Sequence, residues 1–442
     1  MQTKDKNYLL LIAIHIIIGS MTYYVPFFST IFFYVFLGLS MYLVIKTQNK
    51  NNEVIYISAY IIGAEVFFRM IRASPSYEFG KYGIIFFMFL GMFYSGISKK
   101  ATVFWFYLIC IIPGLVLGAI VLDSQTEVRK IIIFNISGPI CLGIASLYCY
   151  NRKLNLNEIA NLLLIMGLPI ISCITYLFFY TPKLDDVLFG TGSNTSLSGG
   201  FGANQVATIL GLGIFIFVSR LIFDSKNKII LLVNSILVLY ISYRGFLTFS
   251  RGGIITGVLM IITLILYIYF RSNTKVKFKI HYILFFLGIV MFVVWTFTSF
   301  KTGGLIDKRY SNQDKFGRKK ADLTTGRGDI AEVELNSFYD NPILGIGVGK
   351  GQEYRKEKLG FQVNSHDEIT RTLSEHGTFG ILMLIILFLT PIILFFRNLN
   401  HIYLIPFYLF WFLTINHAAM RTAAPAFFYA LTLIKIKKPD ET

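Results

Sequence analysis

Charge is scarce in this chain. Asp, Glu, Lys and Arg make up 15% of its 442 residues, where soluble globular proteins carry about a quarter. So little charge cannot solvate a globular surface of this size, which excludes an ordinary soluble protein. Carboxylates are the scarcer sign, with 24 Asp and Glu against 41 Lys and Arg and a formal net charge of +17. Cysteine is also rare. Cys110, Cys141, Cys149 and Cys173 fall within apolar runs, with no CxxC or Cys/His ligand spacing. They support neither a metal site nor a disulfide framework. Long hydrophilic segments are missing outside roughly 299–377, which points to one integrated membrane domain rather than several soluble ones. No internal repeat is evident, which counts against inverted-repeat transporter folds.

What is present is apolar. The chain is 55% hydrophobic and 16% aromatic, and apolar runs of about 16–22 residues, the length of a membrane span, recur along it. They fall near 8–20, 27–45, 54–70, 82–98, 101–121, 131–150 and 159–180, then near 204–223, 229–248, 253–270, 280–298, 378–396, 401–417 and 422–436. The fold class expected is an all-α polytopic membrane protein of about 12–14 transmembrane helices with one large extramembrane loop. Its parts would be N-terminal spans over 1–298, the loop over 299–377, and C-terminal spans with a tail over 378–442. The first run, Tyr8–Ser20, lacks a small-x-small cleavage site and is expected to be retained.

The basic excess sorts by loop. Lys4/Lys6, Lys46/Lys50, Lys99/Lys100, Arg152/Lys153, Lys226/Lys228, Arg271 with Lys275/Lys277/Lys279, Arg397 and Lys435/Lys437/Lys438 all fall on one side. The positive-inside rule makes that side cytoplasmic, with both termini. Topology thus accounts for the charge, and nucleic acid is not an expected partner. The other loops, near 71–81, 122–130, 181–203, 249–252, 299–377 and 418–421, fall outside. Loop 181–203 is rich in Gly and Ser and reads as a mobile connection.

Several arginines depart from that charge rule. Arg69 and Arg72 end one span, Arg251 sits in a short turn, and Arg421 lies between the last two runs. A single such residue can snorkel to the headgroups. Several converging on one side favour an anionic ligand.

The polar stretch from Thr325 to Gly380 stands out. After Gly326-Arg327-Gly328, Ile330, Val333, Leu335 and Phe338 predict an amphipathic helix on the membrane surface or against the spans, stopped by Asp340-Asn341-Pro342. Gly345-Ile-Gly-Val-Gly-Lys-Gly351 resembles a phosphate loop only superficially, because Leu344 and Gly351 occupy its first and last required positions. A turn bringing backbone close to a neighbour or a substrate is preferred. Ser365 is the expected N-cap of a helix running from His366 through Glu375 and ended by Gly377. His366 and Thr370 would then share a face, with Arg371 nearby. A lone His is more often structural, but one at a helix start near the membrane boundary suits general-base work.

Taken together, these residues resemble the O-antigen ligase/polymerase superfamily. The matching pieces are Thr-Gly-Arg at 325–327, Asn-Pro-Ile-Leu-Gly-Ile-Gly at 341–347, His366, Leu373, Glu375-His-Gly377 and Gly380. Upstream, Phe201-Gly-Ala-Asn-Gln-Val-Ala207 resembles the family's Asn-centred span start, and Ser250-Arg-Gly-Gly253 its short Ser-Arg-Gly turn. Val66-Phe-Phe-Arg-Met-Ile-Arg72 and Tyr77-Glu-Phe-Gly-Lys-Tyr82 resemble the Bacteroidetes branch.

The resemblance implies a C-type glycosyltransferase-like bundle in the bacterial inner membrane, its active loop periplasmic. It implies transfer of a glycan from undecaprenyl diphosphate to an acceptor hydroxyl, without nucleotide, metal or other cofactor. His366 would be the general base, and Arg251 would bind the diphosphate with Arg69, Arg72 or Arg327. Arg371, Arg421 and Asp367 are further candidates. The expected partners are the lipid-linked donor, a lipid A–core, glycan or protein acceptor, and membrane lipid. The chain departs from the family in having Asp367 where Asn is usual, Ala331 where an aromatic is common, and no Arg in 181–203. Ligation to lipid A–core is the first expectation, ahead of repeat-unit polymerisation and protein O-glycosylation. A lipid-linked glycan flippase or transporter is the rival of another class.

Overall fold

The computed structural model describes residues 3–123, 127–320 and 326–437. The first helices are α1 (Thr3–Tyr24), α2 (Pro26–Thr47), α3 (Glu53–Met70), α4 (Phe79–Ser95), α5 (Thr102–Val121), α6 (Val128–Cys149) and α7 (Leu156–Tyr180). Next come α8 (Ala203–Phe223), α9 (Lys228–Leu247), α10 (Arg251–Arg271), α11 (Thr274–Lys301) and the short α12 (Leu305–Tyr310). The polar stretch folds as α13 (Arg327–Asp340) and α14 (Lys350–Leu359), followed by α15 (Glu368–Arg397), α16 (Leu404–His417) and α17 (Ala424–Leu431). The only sheet among the described residues is a two-residue parallel pair, β1 (Lys153–Leu154) with β2 (Lys435–Ile436).

Every expected apolar run contains a helix. Ten of these helices are long and apolar enough to cross a membrane: α1, α2, α5–α11 and α15, the α5 span being counted from Lys99. The chain is an all-α, multi-pass membrane protein. The remaining apolar segments differ from full spans for visible reasons. α3 has 18 residues but carries Glu53, Glu65 and Arg69. α4 and α16 have 17 and 14 residues. The run expected over 422–436 shrinks to the eight residues of α17, and its polar end enters β2 instead.

Two compact units are built from interleaved segments. The first comprises Met1–Tyr77 and Asn157–Ala321, the second Glu78–Leu156 and Asp322–Thr442. The polar segment 299–377 is therefore divided, its early part belonging to the first unit and its later part to the second.

In the first unit, α8 packs closely on α10. Added Cβ atoms show how closely: one on Gly211 would lie 2.0 Å from the Gly253 carbonyl oxygen, and one on Gly257 2.2 Å from that of Gly211. Small residues let membrane helices approach until backbone dispersion contacts form, because lipid supplies no hydrophobic drive between apolar faces. Beside this contact, Ser250 Oγ donates to Asn204 Oδ1 at 2.8 Å, joining the Ser-Arg-Gly turn to the Asn-centred span start. Loop 181–203, expected to be mobile, is tied down. The Asn194 N–H donates to Thr248 O at 2.9 Å, and Thr191 Oγ1 donates to Gln313 O at 2.8 Å. Short polar side chains that bond nearby backbone give this Gly/Ser-rich segment a fixed path.

In the second unit, α5, α6 and α4 pack with α15 and α17, and α13 lies on α15. Gly211→Ala should cost about 1–3 kcal/mol of stability, the usual penalty of overpacking. The control Gly288→Ala, on α11 with open space around it, should leave the thermal midpoint of the detergent-solubilised protein unchanged. Equal midpoints for both variants would contradict the close α8–α10 contact.

Candidate functional site

The second unit contains a cavity of about 480 Å³ whose lining includes Asn135 of α6, Arg355 of α14, Ser365 and Glu368 at the start of α15, and Arg421. Its wall is organised by one buried carboxylate. Glu334 on α13 is 1% exposed. It accepts from Arg355 Nη1 at 2.5 Å, Thr370 Oγ1 at 2.5 Å and Ser365 Oγ at 3.2 Å. Arg355 is buried as well, and its Nε donates to Val363 O at 3.0 Å. Burial pushes the Glu334 carboxyl up to about 7, against the opposing pull of Arg355 and of the Thr370 and Ser365 hydroxyls.

Sequence patterning passed over this residue. The expected apolar stripe of α13 supplies only Ile330 to the buried face, and the other buried positions are Glu334 and Ser337. The helix docks by its polar side because α15 presents Thr370 and Ser374 to it, and Ser337 Oγ bonds Ser374 Oγ. An acid at i+4 from Ile330 and i−3 from Ser337 was the available signal.

His366 lies between two residues held by that carboxylate, Ser365 and Thr370. It is not the first residue of a helix, as expected, but sits in the turn before one. The N-cap is Asp367, whose Oδ1 accepts from Ile369 N at 2.7 Å and Thr370 N at 3.3 Å. A carboxylate caps well here because it meets two orphan amides at the positive end of the helix dipole. Ser365 instead braces the turn, its hydroxyl accepting from Asp367 N at 3.3 Å. His366 and Thr370 therefore do not share a helix face.

The imidazole is half-buried, its Nδ1 is shielded, and among the described residues that atom has no hydrogen-bond partner. The backbone is fixed by Ala419 N, which donates to His366 O at 3.2 Å, and Arg421 Nη2 donates to Ser365 O at 3.2 Å. Burial, followed by the charges of Arg421, Arg327, His417 and Arg355, pushes His366 down to about 4. At neutral pH the ring is uncharged and able to accept a proton.

Arg371 is buried among fixed partners. Its Nη1 donates to Asn135 Oδ1 at 3.0 Å and Glu375 Oε2 at 3.1 Å, and its Nη2 contacts Glu368 and Asn135 O. Behind this, Gly377 (φ +57°, ψ −131°) interrupts α15. The carbonyls of Ser374 and Glu375, beside that break, accept from Ile346 N at 2.9 Å and Gly347 N at 3.2 Å. Val348 N donates to Gly114 O on α5 at 2.9 Å. The Gly-rich run is thus a strap that fastens the break in α15 to α5, and its amides from Gly345 to Lys350 are already bonded. Positive φ at Gly345 and Gly347 and the close approach to α5 explain the residue type.

The second unit thus contains His366, Asp367, Arg371, Arg421 and Arg327. Thr325 lies outside the described residues. Arg69, Arg72 and Arg251 belong to the first unit. Arg69 is buried in a satisfied network, with Nη2 on Glu65 at 2.6 Å, Nη1 on Gln205 Oε1 at 3.0 Å and Nε on Tyr77 O at 2.8 Å. Arg72 is exposed with φ +53°. Arg251 opens α10, and its Nη1 reaches Arg309 O at 3.4 Å.

These features define a multi-pass helical membrane protein with a layer of short polar helices carrying a neutral His among arginines. Residues 235–385, about a third of the chain, match the family model described as O-Antigen ligase. No curated protein matches the chain. The matched segment includes Arg251, Arg327, Glu334, Arg355, His366, Asp367 and Arg371, and leaves Arg69, Arg72 and Arg421 outside it. The family supports glycosyl transfer of the O-antigen ligase or polymerase type, and substrates that are in general a lipid-linked glycan and an acceptor.

Glu334→Ala should cost about 3–5 kcal/mol, because it strands a buried guanidinium. Glu334→Gln, which keeps an acceptor for the hydroxyls, should cost less. Thermal unfolding in detergent ranks the two, and equal midpoints to wild type would remove Glu334 from its organising place.

Proposed function

We propose that this protein transfers a glycan from undecaprenyl diphosphate to an acceptor hydroxyl at the periplasmic face of the bacterial inner membrane, with both termini cytoplasmic. The observation that carries the reading is His366: a neutral imidazole held in a braced turn among cations, within the region that matches the family. In the proposed step His366 takes the proton of the acceptor hydroxyl as its oxygen attacks the anomeric carbon. The bond from that carbon to the diphosphate breaks, the electron pair leaves with the phosphate oxygen, and in-line attack inverts the configuration. Diphosphate is a good leaving group, so the protein chiefly removes one proton and stabilises charge.

Arginine suits the second task, since its planar fork pairs bidentately with phosphate oxygens. Arg421 and Arg327, whose charges already act on His366, are the first candidates. Arg371 and Arg69 are bound to carboxylates, which suits them to supporting rather than contacting the donor. A donor dianion beside the arginines would offset their charge on the imidazole and raise its basicity when substrate is present. Lipid A–core is the acceptor favoured, ahead of a growing repeat-unit chain and of protein Ser/Thr. The motifs that suggest ligation are shared with enzymes that polymerise.

His366→Ala should abolish transfer in a purified assay while its membrane level stays normal, and cells carrying it should lack whole polymer on lipid A–core. Full transfer by the variant would remove the general base. Two pH limbs follow from the electrostatics. For kcat/KM, set by the free enzyme, activity should persist as pH falls until about 4, where His366 gains its proton. For kcat, set by the donor complex, the limb should lie at higher pH. Coincident limbs would contradict donor-raised basicity.

A further inference from the structure

A second cavity in the same unit, of about 160 Å³, is lined by Lys100, Arg397 and Lys435 together with Asn151 and Asn398. No acidic residue lines it. The three cations come from the turn before α5, the end of α15 and β2, elements far apart in sequence. Among the described residues none of the three side chains has a hydrogen bond or an ion pair, whereas Arg355 and Arg371 are bound to carboxylates.

The scaffold around these cations is fixed. Asn151 N donates to Leu433 O at 2.9 Å. Asn398 Nδ2 donates to Ile434 O at 2.9 Å, while its Oδ1 accepts from Ile436 N at 3.4 Å. The β1–β2 pair, Lys153 with Lys435, closes the same end. Arg397 at a helix C-terminus complements the negative end of the α15 dipole. Lys100 has no such explanation. It stands two residues before the α5 N-terminus, where the dipole is positive and a cation is disfavoured. Cation, cation and helix N-terminus at one cavity make a combination that an anion would relieve.

The cavity also lies where α5 begins and α6 and α15 end. Phe396 and Leu399, next in sequence to its lining, and Ile97, three residues before Lys100, are exposed and apolar. We propose that this cavity binds a phosphate-bearing anion, and that its source is the headgroup of an anionic phospholipid whose acyl chains lie against these apolar residues. Cationic pockets between membrane helices recognise such headgroups by charge and shape, and a phosphodiester with part of its glycerol suits a space of this size. Binding here is independent of glycan transfer and is read without it.

The test uses the full chain in phosphatidylcholine nanodiscs, with and without phosphatidylglycerol, and in detergent with inorganic phosphate. Native mass spectrometry counts retained lipid, and thermal unfolding reports stabilisation. Wild type should retain phosphatidylglycerol in preference to phosphatidylcholine and unfold at higher temperature with it. Each cation removed should weaken retention about fivefold, so that Lys100→Gln/Arg397→Gln/Lys435→Gln loses the preference, while Lys46→Gln/Lys50→Gln in the first unit keeps it. Where the triple variant is poorly folded, Lys435→Gln alone gives the reading. Retention unchanged in the triple and single variants, or lost equally in the Lys46/Lys50 control, overturns the site. A stabilisation by inorganic phosphate that matches the lipid effect and disappears in the triple variant assigns the source to free phosphate and overturns the lipid.

Discussion

The buried contact between Glu334 and Arg355 is the constraint on which the layer of short polar helices in the second unit depends. Taking both groups out of water carries a desolvation cost that their attraction alone need not repay. Here the remaining lone pairs are filled by Ser365 and Thr370, and Arg355 adds a bond to Val363. Three separate segments, α13, α14 and the turn before α15, must therefore arrive together for any of them to be satisfied. Such all-or-none satisfaction defines a single arrangement more sharply than apolar packing of these short helices would. His366, flanked by two residues of that network, inherits its position.

A second device fixes the turn from behind. The break at Gly377 interrupts the backbone ladder of α15, and the Gly-rich strap supplies donors to the carbonyls beside it. In a low-dielectric setting those carbonyls could not be left unpaired. The strap in turn packs Val348 against Leu122 and Ile132, so the short polar helices are fastened to spans rather than resting on them. The run that most resembled a phosphate loop thus has a structural purpose, because the amides a phosphate would require are already bonded.

The cations of the chain sort into three physical situations. Arg69, Arg355 and Arg371 are buried and held by carboxylates, so their charge organises structure. Arg327 and Arg421 act on His366, adding to the burial that keeps its imidazole uncharged. Lys100, Arg397 and Lys435 surround a cavity with no acid in its lining. The excess of basic residues thus differs in chemical consequence from one local setting to the next.

Much of the fold was legible in sequence. Thirteen of the fourteen apolar runs became helices over most of their length, because backbone in lipid must bond to itself and long apolar runs leave the helix as the available solution. The stop at Asp340-Asn341-Pro342 and the break at Gly377 were readable for the same local reasons. The capping residue and the buried face of α13 were not. Ser365 and Asp367 are both good caps, and the choice fell to Asp367 because Glu334, which is distant in sequence, engages the Ser365 hydroxyl. The face of α13 was decided by what α15 offered it, polar groups instead of an apolar groove. Sequence alone determined the class of protein, the spans and the residue types able to do chemistry. Tertiary structure decided which arginines are bound by carboxylates and which act on His366, since desolvation and pairing depend on neighbours brought together from distant parts of the chain.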